Sequence, residues 1–211
     1  MQDKEVTSSH DRILQAAKHL FAQRGYENTS TIMIARAAST SESQLVKHFG
    51  SKSGLLEAIF DHGWREMGNL LEGIIDDAPP VERLRFLGER VLAGLNRDPE
   101  MKELMLFESR RIRNQGNTVL LTASFIEFVR KLDLILEDIH ERGELRPDFS
   151  PQVVRSALIG ACEGMLRDEL LARRQGVACG YSGEDIKGVL ELFLLSLLVP
   201  EQALRTAPTP T

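Results

Sequence analysis

Apolar residues recur at three- and four-residue spacing along this chain, and no segment of adequate length alternates with period two. Ile13, Ala17, Leu20, Phe21 and Arg24 follow i, i+4, i+7 and i+8, the pattern of an amphipathic helix. Ser8 or Ser9 can cap its start and Gly25 can end it. A second cap at Ser30 or Thr31 opens a short helix to Ala38. After the break "STS", Ser41 and Gln44 have capping-box spacing for another short helix that ends near Phe49. Gly50 stops that helix, and Ser51 caps a longer one whose apolar stripe is Leu55, Leu56, Ile59, Phe60, Trp64, Met67 and Leu71. Five further helices are predicted over about 81–96, 99–114, 117–141, 151–175 and 183–199. The fold class is all-α, with about nine helices.

Composition limits what such a bundle can be. With 42% hydrophobic and 27% charged residues in 211, a packed globular protein is expected. No apolar run approaches the roughly 20 residues of a membrane span, and the N-terminus has no signal-peptide pattern. A cytoplasmic protein with no membrane partner is expected. Cys162 and Cys179 suit a reducing compartment and have no metal-ligand spacing. The net charge of -5 argues against indiscriminate nucleic-acid binding. Residues 1–60 hold seven Lys/Arg against six Asp/Glu, so a DNA reading must rest on geometry and not on bulk charge.

That geometry is present. Two short helices joined by a tight turn make a helix-turn-helix. The second presents Ser41, Glu42, Ser43 and Gln44 at its N-terminal end, where side chains reach base edges. Gln44 can pair in bidentate fashion with adenine. Lys47, His48 and Lys52 lie on the C-terminal side, where phosphates would be met. Lys52 also sits at the start of a helix, whose backbone N–H groups favour an anion.

The segments "ILQAAKHLFAQRGYENTS", "IARAA" and "KHFGSKSGLLEAIF", between Ile13 and Phe60, closely resemble the N-terminal domain of TetR-family transcriptional regulators. The phrase "RGELRPDFSPQVVRSALIGACEGMLRDELLARR" agrees as well. The resemblance implies a three-helix DNA-binding head over 1–52. It implies an effector-binding and dimerisation body over 53–211, in a homodimer that binds double-stranded DNA. By position it makes Ser41 the cap of the recognition helix and turns Glu42, Ser43 and Gln44 to the groove. Lys47, His48 and Lys52 fall on phosphates, and Thr29, Ser30 and Thr31 begin the supporting helix, where a hydroxyl meets a phosphate. Phe21, Ile34, Leu45 and Phe49 are core. The chain departs from the family pattern at Ser39, where the turn usually has glycine and a positive φ is expected. It departs also at Val46, where a tyrosine is usual, and at Ile32 and Met33, where polar residues are usual.

In the body, Trp64 and Met67, then Met101, Met105 and Ile112, then Phe125 and Phe128, then Cys162 and Met165 lie on apolar helix faces. They are expected to line a cavity for a mainly apolar small-molecule effector, although Met and aromatic residues at helical spacing are more often plain core. Glu108 falls on the apolar side with Arg111 at its edge. The pair is either an internal ion pair or a polar anchor for the effector. Leu190, Phe193, Leu194, Leu197 and Leu198 form a broad apolar surface on the last helix, and Gly160 and Gly164 on the preceding one permit close helix approach. Together they are the expected dimer interface, a four-helix bundle. No catalytic constellation, metal-ligand cluster or cofactor loop is found, and no enzyme is expected. The leading function is a ligand-responsive repressor that binds a palindromic operator. A nucleoid-organising DNA binder of the same fold with a protein partner is the alternative, and an all-helical enzyme a remote one.

Overall fold

The computed structural model describes residues 8–70, 78–108 and 121–200. Among them are nine α-helices: α1 (Ser9–Arg24), α2 (Thr31–Ala37), α3 (Glu42–Phe49), α4 (Lys52–Asn69), α5 (Pro80–Arg97), α6 (Pro99–Phe107), α7 (Ala123–Glu141), α8 (Pro151–Gln175) and α9 (Gly183–Leu197). The only β-type pairing among the described residues is an isolated bridge between Leu145 and Leu198.

Helix starts follow local chemistry. Ser8, Ser30, Ser41, Asp98, Ser150 and Ser182 each accept a backbone N–H from the first turn of the helix that follows. Each such cap stabilises its helix by about 1 kcal/mol. At Ser182 the bond is reciprocal, because Asp185 accepts the Ser182 N–H at 2.7 Å. α6 ends at Phe107 within the described residues, and the expected extension over 109–114 lies outside them. α7 begins at Ala123, and residues 117–120 of the expected helix lie outside the described residues. The start at 123 has a cause: the Thr122 hydroxyl accepts the Phe125 N–H, and Asp61 of α4 accepts the Ser124 N–H at 3.1 Å. Burial pushes the Asp61 carboxyl up, but the Ser124 and Arg65 hydrogen bonds outweigh it and hold it below the usual range.

The chain divides into two compact units, Met1–Arg65 with Leu95–Phe125, and Glu66–Gly94 with Ile126–Thr211. In the first, α1 packs on α2, α3 and α6. Its core is Ile13, Ala17, Phe21, Ile34, Leu45, Leu55, Leu56, Ile59 and Phe60, all essentially sealed from solvent. Burying each large side chain of this kind stabilises the fold by about 1.5–3 kcal/mol. α6 is tied to α1 by Lys18 Nζ to Asp98 at 2.6 Å and His19 to Glu100 at 2.6 Å. α6 also lies close to α4, since a Cβ on Gly63 would stand 2.2 Å from Met101 Cε.

In the second unit, Val81, Leu84, Leu87, Leu132, Leu136, Ile139, Val154, Leu166, Leu170, Ile186 and Leu194 make the core. Ion pairs Arg83–Asp138, Arg85–Glu191, Arg155–Asp133 and Lys187–Glu89 tie its helices together. The C-terminal end of α9 is held by the Arg146 N–H on the Leu197 carbonyl (3.0 Å) and the Val199 N–H on the Glu144 carbonyl (2.9 Å).

That packing corrects one expectation. Leu194, Leu197 and Leu198 are buried within the chain and do not form a free apolar surface. α8 and α9 pack on each other, and the bridge at Leu145 covers the end of α9. Leu190 and Phe193 are half-buried. The large apolar residues that α9 does expose are Leu192, at 70%, and Val189. Apart from the backbone of α8 and the neighbouring residues, no atom of the described residues lies within 4 Å of a Cβ added at Gly160 or Gly164.

Candidate nucleic-acid interface

α2 and α3 are joined by a turn that the backbone holds tightly. The Ser39 N–H donates to the Arg36 carbonyl (3.1 Å) and the Thr40 N–H to the Ala35 carbonyl (2.9 Å). Ser39 has φ 51°, the only non-glycine residue with positive φ among the described residues. A Cβ is strained there, which is why glycine is the residue such a turn usually selects. From α1, Arg12 Nε donates to the Ala38 carbonyl at 3.3 Å and fixes the turn against the core.

α3 is capped by Ser41, whose hydroxyl accepts the Gln44 N–H at 3.3 Å, and is stopped by Gly50 at φ 73°. Its only fully buried side chain is Leu45. Phe49, one turn on, is half-buried with its ring stacked on His10 at 4.8 Å. Phe49 is thus less enclosed than a core reading implies, whereas Phe21, Ile34 and Leu45 are fully core. Two anchors one turn apart leave every other α3 side chain outward. Glu42, Ser43, Gln44, Val46, Lys47 and His48 are all exposed. The C-terminal end is steadied by His48 Nε2 to the Ser9 hydroxyl at 2.9 Å. Ser9 and His10 carried no signal in the sequence for this role, because the contact joins residues 39 apart.

The supporting hydroxyls separate. Ser30 caps α2 by accepting the Met33 N–H at 3.3 Å. Thr31 donates to Glu42 across the turn. Thr29 corrects the expectation of a phosphate contact: it is 1% exposed, and its hydroxyl donates to the carbonyls of Gly25 (2.9 Å) and Leu20 (3.3 Å). It closes the end of α1 and faces no solvent. Lys52 also differs from a solvent-facing phosphate ligand. Its ammonium donates to the carbonyls of Tyr26 (2.9 Å) and Thr29 (3.1 Å) and lies 4.1 Å from the centroid of the Tyr26 ring. Carbonyls of the loop between α1 and α2 have no helical partner, and Lys52 supplies donors to two of them. Ile32 is exposed and Met33 half-buried.

The residues expected around an effector fall in both units. Trp64, Met101, Met105, Glu108 and Phe125 belong to the first. There Met101, Met105 and Glu108 are buried, and Trp64 meets Phe125 edge-on at 4.8 Å. Glu108, 7% exposed, is not without an interaction partner. Lys102 is buried beside Met101 with its ammonium on Asn96 Oδ1 (3.3 Å), a polar core position that periodicity did not single out. Met67, Phe128, Cys162 and Met165 belong to the second unit, the first two buried and the others half-buried. Arg111, Ile112 and Leu71 lie outside the described residues. No group of three His, Cys, Asp or Glu able to hold a metal, and no helix long and apolar enough to cross a membrane, occurs among the described residues.

Residues 13–59, which span α1 to α4, match the model of bacterial regulatory proteins of the tetR family. The chain carries the DNA-binding domain of the tetR family of transcriptional regulators. It is 24% identical over 190 residues to the HTH-type transcriptional repressor AcnR of Corynebacterium glutamicum, covering 88% of this chain and 90% of that protein. It is 26% identical over 175 residues to the nucleoid occlusion factor SlmA of Edwardsiella ictaluri, covering 79% and 86%. The solved structure of the transcriptional regulator FadR from Bacillus subtilis, in complex with stearoyl-CoA, has the same fold. Its TM-score is 0.74 at 18% identity, covering 89% of this chain and 96% of that one. The helix-turn-helix described above is therefore the family's DNA-binding element in this regulator.

Proposed function

We propose that this regulator is a repressor that binds a palindromic operator as a homodimer and is released by a mainly apolar small-molecule effector. The observation that carries the reading is α3: a helix anchored at Leu45 on a fixed turn, with Glu42, Ser43, Gln44 and Lys47 all outward. Such a helix reads bases from its N-terminal end while cations toward its other end meet phosphates. Residues 1–52 serve as the DNA-binding head and 53–211 as the effector and dimerisation part. Similarity to AcnR, a repressor, supports the sign of the regulation. Similarity in fold to FadR, solved with stearoyl-CoA, supports an effector with a long apolar part.

The effector contacts are drawn from Trp64, Met101, Met105, Glu108 and Phe125. α6 carries Met101 and Met105 and is tied to α1 through Asp98 and Glu100. A ligand that displaces α6 therefore shifts α1, on which α2 and α3 pack. A coupling of about 1–3 kcal/mol suffices for release. The homodimer uses the exposed Leu192 and Val189 with half-buried Leu190 and Phe193, and the open flank at Gly160 and Gly164.

Selection of bound sequences from random DNA with the purified protein tests this reading. The expected result is an inverted repeat whose half-sites place two recognition helices about 34–36 Å apart. Failure to enrich any sequence overturns it. The similarity to SlmA, a nucleoid occlusion factor, favours the second reading, a nucleoid-organising DNA binder of the same fold. Many dispersed genomic sites without a small-molecule response would select that one.

A further inference from the structure

We propose that Glu42 reads a cytosine in each half-site, and that Thr31 is the positioning residue that sets its pose. The inference rests on α3 being the helix that enters the groove.

Glu42 is the first residue of α3, directly after the cap Ser41. A negative side chain suits that place in an isolated domain, because the positive end of the helix dipole favours it. DNA reverses the balance. An exposed carboxylate carried into a groove lined by phosphates weakens binding to every sequence unless a base donates a hydrogen bond to it. The major groove offers two such donors, the amino groups of cytosine and adenine. Adenine places its N7 acceptor beside the amino group, and that acceptor repels a second acceptor. Cytosine presents the amino group alone. Guanine, with O6 and N7, and thymine, with O4, offer only acceptors. A carboxylate at this position therefore selects cytosine and rejects the other bases by repulsion, which gives specificity through discrimination against wrong partners.

Thr31 makes that selection sharp. Its hydroxyl, at the start of α2, donates to Glu42 Oε1 across the turn. A glutamate left unrestrained could swing away from DNA and accept any base beneath it. Held by one oxygen from the supporting helix, the carboxylate keeps its second oxygen for a donor in the groove, and less side-chain freedom remains to be lost on binding. Ser43, the next residue, is hydrogen-bonded to Ser41 at 2.8 Å. Gln44 suits adenine. α3 thus carries two readers of opposite preference in its first turn.

The competing role for the Thr31–Glu42 bond is a plain tie between α2 and α3. Selection from random DNA separates the two, run in parallel on the parent, Glu42→Gln, Thr31→Val and Thr31→Ser. The parent should enrich cytosine at one position of each half-site. Glu42→Gln should move that position toward adenine, lowering the preference for cytosine over adenine roughly tenfold to a hundredfold. Its other positions should be unchanged, and it should bind random DNA more tightly than the parent. Thr31→Val should keep cytosine with weaker discrimination, and Thr31→Ser should restore it. If Glu42→Gln enriches the parent half-site unchanged, and differs only in melting temperature, Glu42 is a tie and the proposal is overturned. If the parent enriches no sequence at all, the operator reading fails first and this inference with it.

Discussion

α3 and α9 hold their place in opposite ways. α3 keeps Leu45 inside, rests Phe49 against His10, and exposes the rest of its length. α9 buries Ile186, Leu194 and Leu197 and still exposes Leu192 and Val189. A helix held by one buried leucine, one stacked ring, a cap and a turn can offer almost its whole surface to a ligand. A helix held by broad burial has only its leftover stripe to offer. In α3 that surface is polar and charged apart from Val46; α9 exposes Val189 and Leu192 beside the polar Glu184, Asp185 and Ser196. The difference teaches that a binding face is what remains after the chain has satisfied its own core.

The comparison can be broken most directly at its anchors. Leu45→Ala and Leu194→Ala should each destabilise by about 2–5 kcal/mol, read by chemical denaturation. Leu45→Ala should also abolish DNA binding, having no second buried residue on α3 to compensate. An α3 that tolerates the change would mean the helix is held mainly by its flanks. Leu192→Glu should leave the fold intact but dissociate the homodimer at least tenfold more readily, measured by sedimentation of dilute protein. Unchanged association would remove the exposed stripe of α9 from the interface.

Smaller effects sharpen the account of the head. Lys52→Met removes a charged donor from the carbonyls of Tyr26 and Thr29. It should cost about 1.5–3 kcal/mol in stability. A variant as stable as the parent that binds all DNA sequences more weakly would restore Lys52 to the phosphates. Ser39→Gly relieves a side chain at φ 51°. The gain, offset by the added freedom of glycine in the unfolded chain, should be under about 1 kcal/mol and should raise the melting temperature slightly. The last effect is on acid sensitivity. Asp138 has its carboxyl held below the usual range, first by its hydrogen bond from Arg142 and with Arg83 also contributing, against a burial that raises it. A depressed native value stabilises above the ordinary aspartate range, about pH 3.9, and that contribution is lost as pH falls through the native value. Asp138→Asn should therefore lose stability at neutral pH and show a shallower fall on acidification, followed by thermal melts across pH.

Much of the head was legible before any coordinates. Ser30, Ser41 and Gly50 act through bonds or dihedrals within a few residues, so their roles appear in a short window. The positive φ at Ser39 was readable through the family resemblance, which puts glycine at that place in the turn. The burial of Thr29 and the carbonyl partners of Lys52 were not legible, because Tyr26, Gly25 and Leu20 are brought to them by how the chain turns after α1. Composition and motif position cannot tell a lysine that caps carbonyls from one that waits for phosphate.

By itself the sequence determined the all-helical class, the order of about nine helices, the caps of the first four and the helix-turn-helix, because periodicity, capping and turn dihedrals are local. Only the tertiary structure decided which leucines of α9 are spent inside the chain, that α6 is bound to α1 through Asp98 and Glu100, and that Thr31 holds Glu42. Those outcomes join residues far apart along the chain. An apolar stripe states that a face will be buried, but the choice among the chain's own helices and a partner is made by the shape of the packing around it.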